Sequence, residues 1–408
     1  MYTLAYQQKK LSKLTITMAR LVSVASKGLL LLVCSKLLIK SEIALLAVAL
    51  GVANFTVLFS GFDITRRFQH LASIRPNRKN VSTSIYLHVI LSASAAALVS
   101  SLFYSDTMLG VFIAVYIISE AISQEVGRLC VIVNQQFMIA FINIIKSVPP
   151  FLAVLYLFFT DYVVQYSYVI YIITFSSLIS AIFSITLLWK LNLRLQRVSF
   201  ATLAKKLILA IKFGIFFFVS TLFAKALMTL DKSFVVSHVG EEIAATYVVW
   251  MAFLVVSIPL YEIMIGSWVL SKLYDLHHSK DREAFVSLVI RTITQTTALW
   301  ALVLSGSYLG VEMFFSEYNT LSFFTVLSLG CFVLLYLYFQ IFGIANQVVE
   351  ERKGQLVSSI AGIILWLIYV LKTQSPILEL FEIIVFGCIS LFFVVVIRIY
   401  YLKQRLYK

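Results

Sequence analysis

Two cations, Arg20 and Lys27, stand inside the first long apolar stretch of the chain, Thr15 to Leu38. A cation at the centre of a bilayer helix costs about 2.5–3.5 kcal/mol on insertion scales, so such residues turn toward a bundle interior or a water-filled cavity and mark a substrate path. Their spacing is close to two helical turns, which puts both on one face. Lys13, Thr17 and Ser23 lie on or near that face, while Ile16, Leu21, Val22, Leu29 and Leu32 fill the other. The segment reads as one wall of a polar, cationic cavity.

Further charges interrupt later apolar stretches. Lys36, Lys212, Lys232 and Glu262 lie near predicted ends, where a long stem carries the charge to the interface. Lys146 is deeper, with Asn143 and Ser147 nearby, and is read as a cavity liner against the alternative of a local ion pair. Pro149-Pro150 follows it and is expected to break the helix ladder. Glu120, Gln124 and Arg128 form a polar stripe at four-residue steps. Two readings of Glu120 stay open: a carboxylate that takes up protons, or a permanent partner for a cation such as Lys27. Lys225 and Lys232 share a face, and Asp231 ends the span. Arg291 and Gln295 stand among Thr292, Thr294, Thr296 and Thr297, a stripe suited to a wet lumen. Tyr336, Tyr338 and Gln340 are read as packing, with sugar contact as the alternative.

The elements that must position these residues are membrane helices. Of the 408 residues 61% are hydrophobic and 13% charged, against the roughly 45–50% apolar and 25% charged residues of a soluble domain. With a mean hydropathy of +0.95, a soluble fold is excluded. A bilayer span needs about 20 apolar residues. That rule gives about twelve spans, at 14–38, 42–60, 82–103, 108–127, 137–158, 167–189, 207–230, 243–265, 285–308, 321–343, 355–372 and 379–400. The net charge of +14 gathers in alternate loops. Arg66, Arg67, Arg75, Arg78 and Lys79, then Arg128, then Lys190 to Lys206, then Lys272, Lys280 and Arg282, then Arg352 and Lys353, then Arg398, Lys403, Arg405 and Lys408 fall on the side of both termini, and only Lys40, Lys232 and Lys372 on the other. The positive-inside rule makes the first side cytoplasmic. Basic residues so scattered do not form a nucleic-acid surface.

The longest linker, Lys190 to Lys206, divides the chain into an N-terminal half, 1–195, and a C-terminal half, 196–408, of about six helices each. Ser41-Glu42-Ile43-Ala44 and Glu241-Glu242-Ile243-Ala244 open corresponding spans of the two halves, which favours a duplication. The expected fold is all-α and polytopic, with both halves around a central cationic cavity. The lysines before the first span imitate a secretory signal, but a charged, long apolar run without a small-residue cleavage site reads as an uncleaved span.

Walker A, HExxH and dinucleotide glycine motifs are missing, so catalytic residues, metal ligands and cofactors are not expected. Cys34, Cys130, Cys331 and Cys388 show no ligand spacing and read as small buried hydrophobes. The five histidines are dispersed.

Three stretches resemble bacterial polysaccharide flippases of the multidrug/oligosaccharidyl-lipid/polysaccharide exporter superfamily, close to the O-antigen (Wzx-type) transporters. One runs from the cationic first span through Lys36-Leu37-Leu38-Ile39-Lys40-Ser41-Glu42, where Ile39-Lys40-Ser41 replaces the family's Gly-Pro or Ser-Pro. The second is Ser60-Gly61-Phe62-Asp63-Ile64-Thr65-Arg66-Arg67. The third runs from Leu230-Asp231-Lys232 to Gly240 and on to Ala244-Ala245-Thr246-Tyr247. The resemblance implies a flippase that moves an undecaprenyl-pyrophosphate-linked oligosaccharide across the bacterial inner membrane by alternating access. It implies a gradient-coupled cycle, with Glu120 and Asp231 as the coupling candidates. A glycan polymerase and a chain-length regulator are the implied partners, beside membrane lipids. Arg20, Lys27, Lys146, Lys225 and Arg291 would attract the anionic head group, arginine as a bidentate fork and lysine as a point charge. The competing readings are a drug or cation exporter of the same superfamily, which a cationic lumen disfavours, and a membrane glycan polymerase, for which the outer loops are short.

Overall fold

Lipid offers neither donors nor acceptors, so a spanning segment must satisfy its backbone internally, as a helix does. The computed structural model describes residues 2–61, 78–132, 135–160, 162, 164–190, 196–229, 231–262, 267–349, 351–372 and 380–407, and among these every regular element is helical. Ten helices among the described residues are long and apolar enough to cross a membrane. This is an all-α, multi-pass membrane protein.

Two compact units divide the chain, Met1–Ile215 and Phe216–Lys408. The first holds α1 (Tyr2–Leu37), α2 (Lys40–Gly61), α3 (Arg78–Phe103), α4 (Thr107–Ile132), α5 (Gln136–Phe159) and α6 (Tyr166–Lys190). Helix α7 (Phe200–Thr229) begins in it and continues into the second unit. Helix α1 packs along α5, α4 along α3 and α6, and α5 along α6. Between them Ile85, Val126, Cys130, Ile142, Leu187 and Leu188 form an apolar core. Asp106 starts α4 by accepting the Met108 amide at 2.9 Å, which supplies one of the bonds a helix N-terminus lacks.

The second unit contains α8 (Asp231–Val239), α9 (Glu241–Leu254), α10 (Ser257–Tyr261), α11 (Ser267–His278), α12 (Arg282–Phe314), α13 (Phe323–Val348), α14 (Arg352–Lys372) and α15 (Leu380–Tyr407). Gly240 separates α8 from α9 at a φ of 91°, a backbone setting that a side chain disfavours. Asp281 and Ser322 cap α12 and α13 by accepting the amides of Ala284 and Thr325. Helix α15 lies against both α13 and α14.

Outward apolar side chains on both units, among them Leu98, Leu102, Phe175, Ile182, Leu302 and Phe392, are what a lipid phase covers. The seventh expected span falls on α7, whose side chains at 209–217 lie outside the described residues. The eleventh falls on α14, whose apolar part, Lys353–Tyr369, is shorter than the others.

Two expectations need correction. Helix α5 runs unbroken through Pro149 and Pro150; a membrane helix tolerates the lost amides where its neighbours take up the freed carbonyls. Arg398, counted among the cytoplasmic loop charges, is only 2% exposed. Its Nη1 donates to the Phe339 carbonyl at 2.8 Å and its Nε to Ser358 Oγ at 3.3 Å, and its guanidinium lies 3.7 Å from the centre of the Phe339 ring. It is a structural tie among α13, α14 and α15.

Candidate functional site

Helix α1 meets α5 through a polar seam that starts from small hydroxyls. Ser147 Oγ, with one hydrogen to give, lies 3.0 Å from Ser23 Oγ and 2.7 Å from the Asn143 carbonyl, and Ser23 Oγ lies 3.2 Å from that same carbonyl. Small side chains let two membrane helices approach closely while their hydroxyls bond across the gap. The approach places the cationic face of α1 beside α4 and α5.

There Lys146 Nζ lies 3.0 Å from Glu120 Oε2, with the two side chains 6% and 12% exposed. Gln124, one turn further along α4, donates to Glu120 Oε1 at 3.1 Å. Lys27 is exposed, and its charge acts on both members of the pair. Below them Tyr116 donates to Asn54 Oδ1 of α2 at 2.9 Å. Arg20 is half-buried on the same helix face as Lys27. Neither Arg20 nor Lys27 makes a hydrogen bond or ion pair with a described residue. Two cations thus act on one carboxylate, and Arg20 adds a further positive charge to the same face of α1.

In the second unit Asp231 accepts a short hydrogen bond from Tyr247 and lies 3.2 Å from Lys232 Nζ, which also donates to the Met228 carbonyl. Asp231 and Tyr247 border a small cavity of about 30 Å³ whose other walls include Phe234, Phe332 and Trp366. That is room for about one water. Lys232, expected to reach for the interface, is engaged here instead. Arg291 is exposed on α12 and makes no bond with a described residue. Its threonine neighbours need no lumen, because each satisfies its hydroxyl on its own helix: Thr292 on Leu288, Thr294 on Ile290, Thr296 on Thr292 and Thr297 on Ile293. Thr297 also meets the Tyr338 hydroxyl at 2.7 Å. Tyr336 is buried and stacks on Phe339, a packing role. The side chains of Lys225 and Lys212 lie outside the described residues.

A second buried charge cluster brings together residues that the sequence pattern did not group. Glu125, 1% exposed, accepts from Ser84 Oγ at 2.5 Å, and His88 Nδ1 and Arg128 Nη1 lie 3.4 Å and 3.6 Å from its other oxygen. Arg128 therefore turns away from the Glu120 and Gln124 stripe toward a residue three positions back. The signal was present only as a histidine and a glutamate in consecutive spans, 37 positions apart.

No family model matches the sequence, and no curated protein matches it. Solved structures do. The inward-facing conformation of a multidrug resistance MATE family transporter of the MOP superfamily has a TM-score of 0.65 at 12% identity, covering 97% of this chain and 97% of that one. Its outward-facing counterpart gives 0.62 at 12% identity, over 97% and 95%. A MOP superfamily transporter from Pyrococcus furiosus gives 0.64 at 11% identity, over 97% and 95%. The chain shares the fold of these structures. At these identities the likeness is one of fold alone, and it spans nearly the whole of both chains.

Proposed function

We propose that this protein is a flippase for a lipid-linked oligosaccharide carrying an anionic pyrophosphate head group, working by alternating access in the bacterial inner membrane with both termini in the cytoplasm. The observation that carries the reading is the pair Arg20 and Lys27, two cations on one face of a membrane helix without a hydrogen-bonding acceptor among the described residues. Leaving two cations so placed costs several kcal/mol unless an anion or water meets them. A pyrophosphate does so with two charges and several oxygens, while its polyprenyl tail stays in lipid. Glu120 is held between Lys146 and Lys27, so this site offers no free carboxylate to a positively charged substrate. In this reading Lys146, Lys225 and Arg291 extend the attraction, Asp231 and Glu120 serve gradient coupling, and a glycan polymerase and chain-length regulator receive the product.

The second reading, export of drugs or cations, is favoured by the likeness to transporters described as multidrug resistance proteins. The two readings part on one experiment. R20A and K27A are assayed for translocation of a fluorescent lipid-pyrophosphate oligosaccharide in proteoliposomes, and for drug susceptibility in cells. The flippase reading expects translocation to fall at least about tenfold in each variant, equivalent to about 1.4 kcal/mol of lost interaction, with drug susceptibility unchanged. Full translocation in both variants overturns it, and a change confined to drug susceptibility selects the exporter.

A further inference from the structure

A cavity of about 200 Å³ lies at the end of the first unit where α2, α4 and α6 begin. Leu45, Val48, Ala49 and Val52 recur in its wall at the spacing of one face of α2, and Leu109 of α4 joins them. Leu45 is 36% exposed, whereas Ala49 and Leu109 are 4% and Val52 8% exposed. The space is therefore open beside Leu45 and closed toward Val52, and over that stretch the helix rises about 10 Å. The result is a narrow apolar slot that runs along α2 from the end of the unit inward.

The rim is aromatic and polar. Phe103, Tyr104, Asp106 and Tyr166 border the opening. Asp106 spends Oδ1 on the Met108 and Leu109 amides, at 2.9 Å and 3.4 Å, and its Oδ2 has no partner among the described residues. The hydroxyls of Tyr104 and Tyr166 make no hydrogen bond with a described residue either. Glu42, in the first turn of α2, acts with Asp106 on Tyr166 through its charge. The cations at this end, Lys36 and Lys40, are not part of the wall. Carboxylates beside aromatic rings attract an ammonium, which the oxygens bind as acceptors and the ring faces bind through their negative charge. The first amides of α2 and α6 favour an anion beside it. A zwitterion of ammonium and phosphate meets both.

The size of the slot separates a lipid from a drug. Pockets that enclose drug-sized molecules measure roughly 300–1,000 Å³, so this one takes the end of a head group and part of one chain, and the remainder of the ligand must lie in the bilayer. The mouth suits that division, because Leu45 and the neighbouring Leu102 and Phe103 turn apolar surface outward.

We propose that this slot binds a phospholipid with a primary ammonium head, its ammonium beside Asp106 and the two tyrosine hydroxyls and one acyl chain along Leu45 to Val52. The site does not depend on what the protein transports. Phosphatidylethanolamine with a photoreactive diazirine on one chain is added to the protein in nanodiscs, and the crosslinked peptides are identified by mass spectrometry. Crosslinks are expected within 45–52 and 103–109, displaced by unlabelled phosphatidylethanolamine and not by an equal amount of phosphatidylglycerol, which has the phosphate without the ammonium. D106N keeps an oxygen to cap α4 and loses the charge, and is expected to lower this labelling at least about fivefold, as the loss of a hydrogen bond to a charged group does. A49F fills the floor of the slot and is expected to abolish the labelling; V48F, on the half-buried wall, serves if A49F does not fold. Glycerophosphoethanolamine, the same head without chains, is expected to displace nothing, and displacement by it would assign the site to a soluble amine and overturn the lipid. Labelling only elsewhere, equal displacement by the two phospholipids, or labelling unchanged in D106N and in the filling variant overturns the site itself.

Discussion

At the residue scale, the Glu120–Lys146 pair shows how charge is tolerated inside the first unit. Taking one partner from a buried pair strands the other, at about 3–5 kcal/mol. The two removals are not equal here, because Lys27 adds a second positive charge to the site. K146M leaves Glu120 with Lys27 and with the Gln124 amide. E120Q leaves Lys146 and Lys27 facing each other with no anion between them. E120Q is therefore expected to lower the unfolding temperature more than K146M, and the E120Q/K146M double variant to recover most of the loss. Thermal unfolding in detergent reads all three. Equal losses in the two single variants would mean that Lys27 does not share the site, and an unchanged E120Q would mean that the pair contributes nothing.

At the scale of the element, the helices were legible in the sequence because lipid leaves the backbone few alternatives and about 20 apolar residues announce each span. Lys146 and Glu120 were legible as residues with a reason to be there, since a charge amid apolar sequence is conspicuous. Their pairing was not, because it depends on how α4 and α5 pack. His88 and Arg398 were hidden for a different reason: one lacks a fixed charge and the other lies near a span's end, where snorkelling is the ordinary expectation. The same packing explains the glycines of α14. A Cβ at Gly362 would stand 2.5 Å from the Phe223 ring and 2.7 Å from Val394 of α15, and one at Gly354 would stand 2.5 Å from Tyr401 Cβ. These two glycines, two helical turns apart, let α14 lie close against α15. G362A must push the helices apart or move a buried ring, at about 1–3 kcal/mol. It is expected to lower thermal stability, whereas G306A on α12, where a Cβ would meet nothing within 4 Å, is expected to be neutral or slightly stabilising. Equal stability of G362A and wild type would show that α14 and α15 can separate without loss.

For the whole molecule, the ends of the first unit carry opposite chemistry, and this fixes an expected orientation. At one end the short turn at 104–106 meets the start of α6: Tyr104, Asp106 and Tyr166 line a cavity of about 200 Å³ with Leu45 and Val52 of α2. The charges near it are Asp106, Glu42 and Lys40. The other end of the same helices carries Arg78 and Lys79 at the start of α3, Arg128 near the end of α4 and Lys190 at the end of α6. Cations are retained on the cytoplasmic side, so the turn at 104–106 is expected to face outward. A cysteine placed at the exposed Ser105 tests this, because native Cys34 and Cys130 are buried and Cys331 and Cys388 half-buried. S105C in intact cells is expected to react with a membrane-impermeant maleimide, while S279C, in the exposed turn after α11, reacts only after the membrane is opened. The reverse pattern would invert the protein in the membrane.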